Sequence, residues 1–133
     1  MVGTNKTRIG AAVSGAILAS VAALAAMQPA ITRTVLQRAD LTNPGHEAVT
    51  ARADFPVGGS TGKHTHPGDE VSYVLTGTII LEIDGAPAKT LKAGEVFFVP
   101  AGKVHNATAA NGTATVVANY LVEKGKPMTA AVP

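Results

Sequence analysis

From Gly58 onward, turn-forming dipeptides punctuate this chain so often that no long helix fits between them. Gly58-Gly59, Pro67-Gly68, Asp84-Gly85, Ala93-Gly94, Ala101-Gly102 and Asn111-Gly112 recur every few to seventeen residues. Asp84-Gly85 and Asn111-Gly112 are strong hairpin signals, because Asn, Asp and Gly tolerate positive φ. Between the turns the apolar residues alternate with a period of two. In Glu47–Phe55, Val49, Ala51, Ala53 and Phe55 share one face, and Thr50, Arg52 and Asp54 share the other. In Thr78–Ile83, Ile79, Leu81 and Ile83 oppose Thr78, Ile80 and Glu82. Successive side chains on a strand point to opposite faces, so this pattern suits half-buried antiparallel strands. Val71–Leu75, Glu95–Val99 and Thr113–Val122 are further β-branched or aromatic runs, and an edge strand over Thr34–Ala39 leads into them. Many short strands at this spacing predict an all-β sandwich or barrel.

A chain of 133 residues allows one domain at ~100–200 residues per domain, and is long enough to bury one core. The expected division is a leader over 1–29, a barrel over 30–126 and an extended, loose tail over 127–133. The absence of Cys excludes disulfides, thiolate zinc sites, iron–sulfur clusters and Cys nucleophiles. Ile9 to Met27 carry no charge, follow Lys6 and Arg8, and include the small-x-small triplet Ala23-Leu24-Ala25. That pattern predicts a hydrophobic helix serving as an export signal, with an uncleaved inner-membrane anchor and a buried core helix as rival readings. In both export readings the folded part lies outside the cytoplasm, periplasmic or secreted, and only this segment meets a membrane. Without Lys6 and Arg8 the chain has nine basic against nine acidic residues. No basic cluster with interleaved aromatics occurs, so the footprint of a nucleic-acid binder is missing.

The chain has four His: His46, His64, His66 and His105. His64-Thr65-His66 is an i, i+2 pair. On a strand that spacing puts both imidazoles on one face, ~6.5–7 Å apart along the backbone; on a helix they diverge. Glu70 follows after Pro67-Gly68-Asp69, where a turn folds the next strand back so that its first inward residue meets the pair. His105 follows Pro100-Ala101-Gly102 at the head of another strand. Three imidazoles and one carboxylate suit Mn, Fe, Ni, Co or Zn as a divalent ion, with no choice among them. Each residue also has a plainer reading: exposed strand-end histidines, a solvated turn carboxylate, a satisfied core histidine. His46, in a loop after Pro44-Gly45, is read as non-ligating.

These residues resemble the cupin superfamily. Gly58, His64, His66, Glu70 and Gly77 match its first motif, Gly-x5-His-x-His-x3/4-Glu-x6-Gly. Gly94, Pro100, Gly102 and His105 match its second, Gly-x5-Pro-x-Gly-x2-His-x3-Asn, with Ala109 in place of the final Asn. That Asn is not a ligand in the family, so its loss leaves open only how the second motif is braced. Sixteen residues, Thr78–Ala93, separate the motifs, similar to small single-domain bacterial members. The resemblance covers roughly residues 34–124. It implies an antiparallel jelly-roll barrel, a divalent metal held by His64, His66, Glu70 and His105, and a homodimer paired through edge strands.

Fold alone is poor evidence for chemistry. The inward row is expected to include Ser72, Val74, Ile79, Leu81, Phe97 or Phe98, Val117, and Asn119 or Tyr120. A one-residue slip of register reverses such a choice. No inward Arg or Lys is evident, which weighs against nucleotide sugars and fits a small apolar or aromatic ring compound. Three readings follow: a metal-dependent enzyme, dioxygenase- or oxidoreductase-like, or an isomerase or lyase, acting on a small organic molecule with Glu70 as a candidate base; a metal-containing binding or sensing module; and a structural barrel without metal.

Overall fold

The computed structural model describes residues 29–133. The expected leader helix over Ile9–Met27 lies outside the described residues. Ten strands follow: β1 (Thr32–Asp40), β2 (His46–Phe55), β3 (His64–Thr65), β4 (Asp69–Thr76), β5 (Thr78–Ile83), β6 (Lys89–Lys92), β7 (Val96–Val99), β8 (His105–Ala109), β9 (Ala114–Glu123) and β10 (Ala130–Ala131). They form two five-stranded sheets, ordered β1-β2-β9-β4-β7 and β10-β3-β8-β5-β6. Every named pair is antiparallel. This is the expected all-β jelly-roll.

The alternation is read as expected on β2 and β5. Val49, Ala51, Ala53, Phe55, Ile79 and Leu81 are buried, while Arg52, Ile80 and Glu82 are exposed. Fully burying Ile79, Leu81 or Val74 stabilises by roughly 1.5–3 kcal/mol each. β1 is the predicted edge strand, longer than expected at both ends and exposed throughout. β6 escaped the sequence reading because Leu91 is its one buried residue among Lys89, Thr90 and Lys92.

One register is corrected. Val117 was expected inside, but β9 buries Val116, Ala118, Tyr120 and Val122, and Val117 and Asn119 lie on the other face. Asn119 accepts a hydrogen bond from Thr50 Oγ1 at 2.9 Å and donates to the Val71 carbonyl at 3.2 Å. Phe97 points in and Phe98 out. The long apolar run Thr113–Val122 offers no polar alternation to fix its phase, so only its pairing with β2 and β4 sets it.

Gly77 links β4 to β5 at φ 75°. A Cβ there would lie 2.2 Å from the Thr113 carbonyl oxygen, so both conformation and space require glycine. Near the end of the chain β10 pairs with β3, Ala130 opposite Thr65 and Ala131 opposite His64.

Candidate metal centre

Two turns assemble the site. After His66, Pro67-Gly68 reverses the chain, and a Cβ at Gly68 would sit 1.9 Å from the Leu121 carbonyl oxygen. Glycine therefore lets this turn lie against β9, which brings Glu70 back as the first inward residue of β4. The second turn, Pro100–Gly102, is stapled to the first. The Gly102 N–H donates to the His66 carbonyl at 2.9 Å, and the Ala101 N–H donates to Asp69 Oδ1 at 2.9 Å. His105 opens β8 directly opposite His64 on β3. The second motif lacks its Asn, but Asn106 ties β8 down instead. Its Oδ1 accepts from Ser60 Oγ at 2.7 Å and Thr61 Oγ1 at 3.1 Å.

His64, His66, Glu70 and His105 are all buried, at 3–5% exposure. The ring centroids of His64 lie 4.7 Å from His66 and 4.2 Å from His105. The three imidazoles offer nitrogen atoms within 4.8 Å of one another, a group able to hold a metal ion. Glu70 borders that group, with Oε2 3.1 Å from His66 Nε2 and 3.2 Å from His105 Nε2. Its Oε1 accepts from Ser72 Oγ at 2.5 Å. His46 stands apart, its Nδ1 3.1 Å from Asn43 Nδ2 and from the Pro44 carbonyl.

The hydrogen bonds assign the tautomers. Each Nδ1–H donates to a backbone carbonyl: His64 to Gly62 at 2.8 Å, His66 to Met128 at 2.6 Å, and His105 to Lys103 at 2.9 Å. Each neutral ring then presents a bare Nε2 lone pair to the centre. His64 Nε2 and His66 Nε2 face each other at 3.1 Å. Beside neutral rings the buried Glu70 Oε2 has no hydrogen-bond donor. Facing lone pairs and an unsatisfied buried carboxylate demand a positive charge. The donor set of three nitrogens and an adjacent oxygen, each ring oriented through its outer nitrogen, fits a divalent first-row ion.

A proton can supply that charge without metal, and the titration of the site reflects it. Burial would raise the Glu70 carboxyl, but His105, His66 and Ser72 outweigh it and hold it well below the usual carboxylate range. Burial pulls on His105 in the other direction, yet the Glu70 carboxylate and the Lys103 carbonyl leave it raised. His64, further from the carboxylate's influence, is pulled down by burial to about 4. The Glu70 carboxylate and the His105 imidazolium thus each favour the other's charged form.

A cavity of about 20 Å³ adjoins these side chains, lined by Arg33, Thr61, Phe55, Phe97 and Tyr120 among others. It holds little more than one water-sized group, too small in this conformation for the expected ring compound. Arg33 bears on a second expectation, that no inward Arg or Lys is evident: it is exposed on β1 yet lines this cavity. Its strand was expected to begin at Thr34, and an exposed edge strand carries no alternation to show which side chains reach the interior. Tyr120 packs on His66 at 4.6 Å between centroids. Burial, with the Glu70 charge, pushes its phenol up.

A profile described as the cupin domain matches residues 51–122. The chain belongs to the cupin family. This cupin is 38% identical to Germin-like protein 1-1 of Oryza sativa subsp. japonica over 76 residues, 53% of this chain and 35% of that protein. It thus spans about a third of the length of that curated relative. Among solved structures, an oxalate oxidase in complex with the substrate analogue glycolate superposes with TM-score 0.58 and 26% identity, covering 65% of this cupin and 46% of the other chain. A conserved protein with a double-stranded beta-helix domain from Klebsiella pneumoniae gives TM-score 0.64 at 18% identity, over 77% and 84% of the two chains; that likeness concerns the fold alone.

Proposed function

We propose that this cupin is a metal-dependent oxidoreductase acting on a small organic acid outside the cytoplasm. The observation that carries the reading is the convergence of His64, His66 and His105 on one point with bare nitrogens. These three would hold the ion through Nε2, and Glu70 through Oε2 as the fourth ligand. Mn(II), Fe(II), Ni(II), Co(II) and Zn(II) all suit such donors. The bound ion would supply Lewis-acid or redox chemistry at coordination positions the protein leaves open.

The chain's own residues take up the rest of the work. Ser72 holds the outer oxygen of Glu70 and so aims Oε2 inward. Tyr120 keeps its proton at neutral pH and offers an O–H donor beside the site. Arg33 brings a fixed positive charge to the cavity, and a guanidinium recognises a carboxylate through two parallel hydrogen bonds. Phe55, Phe97 and Val116 line the cavity and exclude water. The small cavity favours a substrate of few heavy atoms. An oxalate oxidase that accepts glycolate as substrate analogue agrees with a small carboxylate. The export part of the reading rests on Ile9–Met27 with its preceding Lys6 and Arg8.

The test is turnover by protein reconstituted with each metal, against small mono- and dicarboxylates, keto acids, phenols and flavonols. Carboxylate turnover, lost in His64→Gln, is the expected result. No turnover of any member by metal-loaded protein ends the enzyme reading. The mostly apolar cavity wall favours a second reading, a metal-containing binding module. A small molecule that co-purifies and is released chemically unchanged distinguishes it.

A further inference from the structure

The three imidazoles are braced in two different ways. His64 and His105 each donate Nδ1–H to the carbonyl two residues earlier, Gly62 and Lys103. Their orientation is built into their own strands. His66 donates instead to the Met128 carbonyl, 62 residues along the chain, at 2.6 Å. Thr129 Oγ1 lies 3.4 Å from the same nitrogen.

The segment that carries this acceptor is held lightly. β10 is two residues long and pairs only with β3. The Val132 N–H donates to the Lys63 carbonyl at 3.0 Å. Met128 is half-buried against Val49, Ala51, Ala118, Tyr120 and Val122, but Thr129, Ala130 and Ala131 are exposed. Few buried contacts and a short exposed ladder place such a segment at the low end of local stability.

We propose that Met128–Val132 is a latch for the metal centre, with the Met128 carbonyl as the positioning group for His66. This rests on the metal reading above. With the latch closed, the proton of His66 is fixed on Nδ1 and its Nε2 lone pair points at the ion. With it open, the ring loses that acceptor, is free to carry its proton on either nitrogen and to turn, and the site keeps two oriented imidazoles. The ion therefore binds the closed form better, and linkage makes the effect reciprocal: the ion holds the latch shut by the same factor by which the latch tightens the ion. Loss of an outer partner of a ligating His typically costs 10–100-fold in metal affinity. Opening also bares the edge of β3, so metal loss and exposure of a pairing edge become one event.

Co(II) serves as the probe, because its visible absorption reports its coordination. Val132→Pro removes the N–H that ties the segment to Lys63, whereas Val132→Ala keeps it. The expected result is a 10–100-fold weaker Co(II) affinity and an altered Co(II) spectrum in Val132→Pro, with Val132→Ala close to wild type. In wild-type protein, amide exchange over residues 128–132 is expected to slow on adding Co(II), with less change in the apolar strands β5 and β9. This second measurement needs no variant. Wild-type affinity and spectrum in Val132→Pro, or exchange over 128–132 indifferent to bound Co(II), overturns the latch alone. Failure of wild-type protein to take up Co(II) overturns the metal reading, and the latch with it.

Discussion

The two ends of the barrel interior follow opposite rules. Toward one end, Val74, Ile79, Leu81, Ala109 and Val116 pack into one apolar cluster. Toward the other, three imidazoles and a carboxylate meet beneath Tyr120. The same strands serve both. β4 gives Val74 to the first and Glu70 to the second, and β8 gives Ala109 and His105. The apolar end is stabilised by removing its surface from water. The polar end is unfavourable until a positive charge arrives, because facing lone pairs and a buried carboxylate lack donors. Stability and chemistry are thus assigned to different positions of shared strands.

The largest expected effect breaks the apolar end alone. Ile79→Ala should cost about 2–5 kcal/mol of unfolding free energy, measured by urea denaturation, while metal bound per folded molecule stays at the wild-type value. Loss of metal from the folded fraction would mean that the two ends are not separable. The converse substitution is His64→Gln, which keeps most of the volume. Metal at 100 times its Kd should stabilise wild-type protein by about 2.7 kcal/mol. That increment should vanish in His64→Gln, with the metal-free variant within about 1 kcal/mol of metal-free wild type.

A smaller effect sharpens the polar end. Arg33→Ala should weaken binding of a small carboxylate roughly tenfold, about 1.4 kcal/mol, and leave metal affinity unchanged. Titration calorimetry on metal-loaded protein checks it; equal carboxylate affinity would remove Arg33 from substrate recognition. A further effect is graded with pH. Ligating imidazoles must be unprotonated. His64, pulled down to about 4, loses nothing near neutrality, whereas His105, raised by Glu70 and the Lys103 carbonyl, takes up a proton before His64 as pH falls. Metal affinity should therefore fall by up to about tenfold per unit on the acid side of the His105 pKa and level off on the alkaline side. Chelator competition across that range measures it, and a flat profile would place the proton elsewhere.

How much was legible varies with how local the cause is. The i, i+2 spacing of His64 and His66 announced a shared face, because strand geometry alone fixes it. Glu70 and His105 were legible through turns written in Pro and Gly. Arg33 was not, since β1 is exposed on every residue and shows no alternation. Tyr120 could not be told from Asn119 in a run of nearly uniform apolarity, where phase depends on partner strands. The role of Met128 left no trace at all: a backbone carbonyl acts there, and every residue type carries one.

By itself, the sequence determined the long strands, the turns between them and the identity of the four convergent side chains. Alternation, glycine conformation and histidine spacing act over a few residues, so each is written where it operates. The tertiary structure decided the phase of β9, the place of Arg33 at the cavity wall and the bond from His66 to Met128. Those depend on groups far apart in the chain meeting across the fold, as Phe55 meets Ala114 and His66 meets Met128, and no local pattern encodes such a meeting.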